Sequence, residues 1–259
     1  MSQSTVHRGT AAALAAAVLL LVGCTAGHPA TKISHPAAGN HLLVRTPVPA
    51  GKGTVRAFIA KLQAHAAAPF EAKYLFGADK VPAVIVYAIR PPDVLFSESP
   101  MDVNAPRTRI VVNGSGEFRC IQRGTGQAQW TCRQLSKAGA AAQNKNFAVY
   151  TAAYWATYLK KVARAATKIT RFTMRPDAPP TIVKRARAGG MDCIGFRAGS
   201  SGISTICAAA PGILGSVILC RGPGFPMEWY STSPPASLFQ LPPGAKVTML
   251  KGGRQPRAA

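Results

Sequence analysis

The stretch "RIVVNGSGEFRCIQRGTGQAQWTCRQL" (109–135) has the clearest strand-and-turn pattern in the chain. Runs of β-branched and apolar residues lie on both sides of Asn113-Gly114, a dipeptide that strongly favours a tight hairpin turn. A further strand is expected over 128–135, after the turn "RGTGQ". The stretch therefore predicts an antiparallel meander.

The cysteines support this pairing. Cys120 and Cys132 are equally distant from Gly126 in the chain, and residues equidistant from a hairpin centre face each other. Their separation suits a disulfide, and an exported chain can keep one. The same argument predicts a second disulfide across the turn "AGSSG", between Cys193 and Cys207.

Cys220 has no partner of this kind. We expect it to be a buried free thiol, while a bond to Cys193 or Cys207 stays open as the alternative. No Cys-x-x-Cys pair occurs, and all five histidines lie at or before His65. The sequence therefore predicts no metal site.

The rest of the chain predicts two helices and several more strands. Thr54 is the expected N-cap of a first helix that ends before Pro69, and a second helix is expected over 142–168. The first helix has an apolar face of Val55, Phe58, Ile59, Leu62 and Ala66, and the stripe of the second is Phe147, Tyr150, Tyr154, Tyr158 and Val162. Strands are expected over 81–92, 93–99, 168–174, 181–199, 202–209, 212–220 and 245–250. This order predicts an α+β fold with one large curved antiparallel sheet and helices packed on one of its faces.

The N-terminal segment predicts export. A weakly basic start precedes an apolar run over 11–22, which is shorter than the about 20 residues that a membrane-spanning helix needs. This pattern is typical of a secretory signal peptide. The ending "LVGC" (21–24) resembles the bacterial lipobox, in which the cysteine thiol receives a diacylglyceryl group and cleavage occurs just before it. The alternative is a cut after Ala26, which would release a soluble protein.

Four segments follow from these observations. We expect a signal peptide over 1–23, then the lipidated Cys24 and a flexible tether rich in Ala, Pro, Gly and His over 24–53. A single folded domain is expected over 54–250, and a basic disordered tail over 251–259. The mature protein would be a monomer held on the extracytoplasmic face of the cell membrane by its acyl chains.

The charge balance bears on partners. The chain has 31 Lys and Arg residues against nine Asp and Glu, a formal net charge of +22. Outside the membrane, anionic lipid headgroups or wall polymers are the expected counterparts, and an exported protein rarely meets nucleic acid. The alternative is that the charge serves solubility alone.

The usual catalytic machinery is missing from the predicted domain. His65 is its one histidine, and it lies near the end of the first helix. The serine-rich segments "NGSGE" and "AGSSGIS" lack the Gly-x-Ser-x-Gly pattern, and no glycine-rich phosphate loop precedes a helix. We therefore predict no catalytic residues and no cofactor. A hydrolase with an unrecognised site is the alternative.

The order of lipobox, tether, helix, "VYAIRPPDVLFSES" and "RIVVNGSGEFRC" resembles the LolA/LppX-like bacterial lipoproteins. The matching residues are Pro91, Pro92, Phe96, Asn113, Gly114 and Phe118, and Cys120, Trp130 and Cys132 are similar to an actinobacterial branch. The resemblance implies a half-open antiparallel barrel wrapped around helices, with space for acyl chains between the sheet and the helices. LppX-like members generally lack these hairpin cysteines.

The resemblance leads to a function hypothesis. It implies a lipoprotein that binds or carries a lipid between sheet and helices, because apolar cavities of this kind are lined by aromatic and aliphatic side chains. The candidate lining residues are Phe58, Leu62, Phe147, Tyr154 and Tyr158. Simple core packing of the aromatic stripe is the alternative, and it would suit a non-enzymatic envelope sensor or protein-interaction module with a filled core.

Overall fold

The computed structural model describes residues 41–43, 46–76, 82–124, 128–176, 190–197, 204–209, 212–219 and 224–250. The predicted signal peptide, Cys24, most of the predicted tether, Cys220 and the predicted tail lie outside the described residues. So do residues 181–189 of a predicted strand and the turn around Ser200.

The described chain contains three α-helices and fourteen strands. In chain order they are β1 (His41–Leu43), β2 (Val48–Pro49), α1 (Lys52–Ala64), β3 (Phe70–Phe76), β4 (Ala83–Arg90), β5 (Asp93–Pro100), β6 (Arg107–Asn113), β7 (Gly116–Gln122), β8 (Thr131–Gln134), α2 (Lys137–Phe147), α3 (Ala152–Ala165), β9 (Lys168–Pro176), β10 (Met191–Arg197), β11 (Ser204–Ala208), β12 (Leu214–Ile218), β13 (Met227–Ser231) and β14 (Lys246–Thr248). Short 3₁₀ turns occupy Ala148–Tyr150 and Ala236–Phe239. Within this part of the chain, no helix has both the length and the hydropathy needed to span a membrane.

The strands form two sheets, so the α+β class is confirmed and the single sheet that we predicted is wrong. One sheet has the order β1-β9-β10-β11-β12, with β2 also paired to β9, and the other has the order β13-β3-β4-β5-β6-β7-β8-β14. Neighbouring strands are antiparallel except for β14, which runs parallel to β8. The parallel pair arises because a long connection over 232–245 crosses the sheet before β14 begins.

The segment around Phe225 joins the two sheets. Phe225 and Val217 of β12 form an antiparallel bridge with hydrogen bonds in both directions. The next residue, Pro226, accepts a hydrogen bond from the N–H of Leu75 in β3, at 2.9 Å. The Tyr74 hydroxyl donates to the buried carbonyl of Leu214 at 2.8 Å. Strand pairing thus passes almost continuously from one sheet to the other.

Helices α1 and α3 fill the space that the two sheets share. The predicted apolar face of α1 is confirmed for Val55, Phe58, Ile59 and Leu62, which are buried in the main core, whereas Ala66 lies after the helix ends at Ala64. From α3, Trp155, Ala156 and Leu159 enter the same cluster. Both sheets contribute alternate residues to it, including Tyr74, Ile85 and Phe96 from the larger sheet and Ile194 and Ile206 from the smaller. We call this side of the larger sheet its inner face.

The opposite, outer face of the larger sheet is also covered. Phe239 of the turn Ala236–Phe239 packs on Ala88, Leu95 and Val111. Arg109 and Asn113 donate side-chain hydrogen bonds to the carbonyls of Leu238 and Phe239. The chain from residue 236 onward therefore shields the outer face from water.

The helix predictions need two corrections. Helix α1 begins at Lys52 with Gly51 as N-cap, so Thr54 lies within its first turn. The long helix predicted over 142–168 is two helices, because Thr151 leaves the helical conformation and caps α3. Its side-chain oxygen accepts a hydrogen bond from the N–H of Tyr154 at 3.2 Å, and Lys168 already starts β9.

The strand predictions are mostly confirmed, with three differences. Strands β3 and β13 were not predicted. The β6–β7 turn is centred on Gly114-Ser115, one residue later than expected, since Asn113 pairs with Gly116. Strands β1 and β2 pair with β9, so the folded part begins before the predicted boundary at residue 54 and includes part of the predicted tether.

Both predicted disulfides are present. Cys120 of β7 faces Cys132 of β8, and Cys193 of β10 faces Cys207 of β11. All four residues are fully buried. Each bond therefore fixes the register of one antiparallel strand pair.

Candidate functional site

A cleft lies between the inner face of β7 and β8 and the start of α2. Its volume is about 690 Å³, within the range typical of ligand pockets. We call it the arginine cleft because three of its lining residues are Arg119, Arg123 and Arg133. The remaining lining residues are Ile121, Gln129, Thr131, Gln134, Leu135, Ser136, Gly139 and Leu250.

The space is open because α2 places no large side chain in it. The sequence of α2 is "KAGAAAQNKNF", and none of its residues is buried. Ser136 caps the helix by accepting a hydrogen bond from the N–H of Gly139 at 3.2 Å, and both residues face the cleft. Helices α1 and α3, by contrast, fill their part of the inner face with large side chains such as Phe58 and Trp155.

The strand register places an amphipathic row along the inner face. Directly paired residues on neighbouring strands share a face, and here they run from Tyr87 through Phe96 and Ile110 to Arg119 and Arg133. The first three belong to the main core. The row thus changes from apolar to cationic between β6 and β7, where the cleft begins.

The cleft has a strong positive charge. Arg119, Arg123 and Arg133 are exposed, and none of them forms a salt bridge with a carboxylate of the described residues. Arg119 and Arg133 face each other across the β7–β8 pair, and like charges in directly opposed positions repel.

Two carboxyl groups lie on the inner face nearby, Glu98 of β5 and Glu117 of β7, but neither lines the cleft. Burial raises the pKa of Glu98, and the positive charge of Arg119 opposes that shift. Burial also raises the pKa of Glu117. Both groups therefore ionise less readily than a free carboxyl, which limits how far they can neutralise the arginines.

The predicted lipid-lining residues do not form a cavity together. Phe58 and Leu62 are 6% and 0% exposed and belong to the filled core. Phe147, at the end of α2, stacks on Phe96 with ring centroids 3.9 Å apart. Tyr158 packs against Trp155 and Phe196, and Tyr154 is 37% exposed on the outside of α3.

The residues that do line a cleft were missed, although a signal for them existed. Arg119 and Arg133 are equally distant from Gly126, as Cys120 and Cys132 are, so the argument that pairs the cysteines also pairs the arginines. Because neighbouring residues of a strand point to opposite faces, the disulfide lies on the outer face and fixes the register that opposes the two arginines.

Within the described ranges, no group of three or more His, Cys, Asp and Glu side chains is placed to hold a metal ion.

Comparison with known proteins adds no name for the fold or the cleft. No protein-family model matches the chain, and no curated protein matches it.

Proposed function

We propose that this protein is a membrane-anchored extracytoplasmic lipoprotein that binds a lipid between its sheet and its helices and performs no catalysis. The observation that carries the proposal is the arginine cleft, where apolar and cationic side chains line one open space beside the filled core. The lipid would lie between the larger sheet and α2. The site predicted beside α1 and α3 is already filled by side chains.

The lining of the cleft suits an amphiphile. Ile121, Leu135 and Leu250 offer apolar surface, and burial of a lipid chain against them would stabilise the complex by about 25 cal/mol per Å². The arginines offer a counterpart for a polar headgroup in the same space. A soluble, fully polar ligand would leave the apolar side unused.

The architecture supports a half-open barrel of the LolA type. Two sheets linked through Phe225 surround α1 and α3, and the strand row from β1 to β14 is not closed within the described chain. A sheet that curves around helices without closing leaves a gap at one end. In this chain β14 is the last strand of that row, and it lies beside β8, which lines the arginine cleft.

The anchor and the location come from the sequence. The resemblance of the segment ending at Cys24 to a lipobox supports a location on the outer side of the cell membrane, and the two buried disulfides suit that oxidising environment. The net charge of +22 favours a position close to anionic headgroups or wall polymers.

The test is lipid uptake by the full chain purified from membranes. Native mass spectrometry should show a non-covalent lipid in addition to the acyl groups on Cys24. Gly139→Leu should reduce lipid occupancy several-fold, because a Cβ at this position lies 3.5 Å from Ser136 Oγ and 3.7 Å from Leu135, both of which line the cleft.

The matched control is Ala138→Leu. This neighbouring residue of α2 is exposed and does not line the cleft, so the same added bulk should leave lipid occupancy unchanged. A folded protein that carries no non-covalent lipid, or equal loss in both variants, would contradict the proposal.

A non-enzymatic sensor or protein-interaction module is the second candidate. The filled core beneath α1 and α3 favours it, and so do the exposed side chains of Met101 and Val103 in the β5–β6 loop. This candidate predicts that the purified protein carries no non-covalent lipid. It also predicts that substitution of Met101 and Val103 by polar residues weakens binding to a partner protein.

A further inference from the structure

We infer that Arg119, Arg123 and Arg133 form a clamp for a phosphate group, so that the cleft selects phosphate-bearing lipids over neutral lipids with the same chains. The inference rests on the proposed lipid-binding function and names the chemical class of the ligand. It is carried by the positions of the three arginines and by the charges around them.

The arginine pair is the centre of the clamp. Arg119 and Arg133 are directly opposed on β7 and β8, so their Cβ atoms are about 5 Å apart. Like charges on directly opposed side chains repel each other in the free protein. An anion between them converts that repulsion into two attractions, and the register is fixed by the adjacent disulfide Cys120–Cys132.

Arg123 adds a third donor on the same side. Side chains alternate along a strand, so Arg119 and Ile121 lie on the same face of β7, and Arg123 follows directly after the strand ends at Gln122; all three line the cleft. Ile121 lies between the two arginines. An acyl chain on Ile121 and a charged group on the arginines can therefore be held by the same wall of the cleft.

Nothing in the described part of the chain neutralises this charge by direct contact. The described salt bridges involve Lys61, Lys73, Arg90 and Arg171, and none involves an arginine of the cleft. Glu98 feels the charge of Arg119 from β5 but does not line the cleft. Three cations that take part in none of the described salt bridges give this concave space a positive potential that favours an external anion.

Phosphate fits these donors better than a carboxylate does. The planar guanidinium binds phosphate oxygens through two parallel hydrogen bonds, and several arginines can share one phosphate. A phosphomonoester has up to two negative charges, which is closer to the three positive charges of the clamp than the single charge of a fatty acid.

The test uses the full chain in detergent and three probes: dioctanoyl phosphatidic acid, dioctanoylglycerol and inorganic phosphate. Native mass spectrometry or calorimetry measures each Kd. We expect phosphatidic acid to bind at least tenfold more tightly than dioctanoylglycerol. Arg119→Gln and Arg133→Gln should each weaken phosphatidic acid binding by about tenfold to a hundredfold, the usual loss for a charge-assisted pair, without changing dioctanoylglycerol binding.

Arg107→Gln is the matched control. Arg107 is exposed near the same end of the sheet, but it pairs with Gln122 and so lies on the outer face. Its substitution makes the same change in net charge and should leave every Kd unchanged. Thermal unfolding of the ligand-free variants gives a second measurement. Arg133→Gln should slightly raise the Tm, because it removes the repulsion between Arg119 and Arg133. Loss of an arginine with a purely structural role would lower the Tm instead.

The outcomes separate the clamp from lipid binding. Equal affinity for the two lipids, unaffected by the arginine variants, would overturn the clamp and leave lipid binding in place. Binding of inorganic phosphate alone, lost in Arg119→Gln, would support the clamp and overturn lipid binding. No binding of any probe would overturn both.

Discussion

Asp192 is the residue at which a single charge connects a helix to a sheet. One carboxylate oxygen lies 3.1 Å from Lys61 Nζ of α1, and the other lies 3.2 Å from an Arg171 guanidinium nitrogen of β9. Burial disfavours the ionised carboxyl, but the hydrogen bonds and charges of Lys61 and Arg171 outweigh it and lower the pKa of Asp192.

This lowered pKa gives a pH-dependent prediction. A carboxyl with a lowered folded-state pKa stabilises the protein above its unfolded value of 3.8, and that contribution is lost as the pH falls through the folded value. Asp192→Asn should lower the free energy of unfolding by about 1 kcal/mol at pH 7, since both partners are partly exposed. In urea titrations the difference from the parent protein should shrink as the pH falls below 3.8 and disappear only below the lowered folded-state pKa of Asp192.

The control for this prediction is Asp102→Asn, which makes the same charge change in an exposed loop outside the described ion pairs. Its effect should be near zero at both pH values. A deficit in Asp192→Asn that persists unchanged at low pH would show that the carboxylate charge is not what stabilises the contact.

At the scale of single elements, Thr151 decides where one helix ends and the next begins. Its hydroxyl oxygen accepts from the N–H of Tyr154 at 3.2 Å and its hydroxyl donates to the carbonyl of Ala148 at 2.7 Å. The cap separates the loosely covering α2 from the core helix α3. Thr151 therefore separates α2, which has no buried residues and borders the cleft, from α3, which fills the core.

Removal of the cap should destabilise α3. Thr151→Ala should lower the free energy of unfolding by about 1 kcal/mol, which corresponds to about 2–4 °C in Tm for a domain of this size. Thr151→Ser keeps the hydroxyl and should retain most of the stability. Thermal unfolding followed by circular dichroism measures both, and equal losses in the two variants would count against the capping role.

Sequence patterns captured the elements unevenly, for physical reasons. The hairpin joined by the Cys120–Cys132 disulfide was predictable because the symmetry of two residues about a turn is a local property of the sequence. Strand β3, "FEAKYLF", alternates apolar and polar residues only from Phe70 to Tyr74, which is a short pattern directly after a helix. The break at Thr151 was hidden because no Gly or Pro marks it, and the apolar stripe continues on both sides.

The site was harder to predict than the fold. Aromatic residues at helical spacing were expected to line a cavity, but Phe58 and Leu62 fill the core because α1 packs closely on two sheets at once. The cleft depends on the absence of large side chains in α2 and on pairing between distant strands. A one-dimensional pattern does not show which part of a sheet each helix covers.

At the scale of the whole molecule, the two sheets behave as parts of one structure. They share the main core through α1 and α3, and Phe225 bridges them at the backbone. Tyr74 adds a buried hydrogen bond across the joint, from its hydroxyl to the Leu214 carbonyl. We therefore expect a single cooperative unfolding transition rather than separate unfolding of each sheet.

Tyr74→Phe tests this joint. Loss of the hydroxyl leaves the Leu214 carbonyl without that donor and should cost about 1 kcal/mol, with hydrogen exchange rising equally in β10 and β6. The control is Tyr87→Phe, since Tyr87 is buried on the same inner face and its ring packs on Phe70, within the larger sheet. Exchange that rises in one sheet alone would contradict a shared transition.

The early start of the first strand limits how far the domain can travel. His41 is seventeen residues after the proposed anchor at Cys24, and a chain of that length cannot extend beyond about 60 Å, whatever its conformation. A domain anchored through this segment would stay within about 60 Å of the membrane that holds it. Ligand exchange would therefore require the donor or acceptor to come to it, which favours a local receptor or relay over a shuttle between membranes.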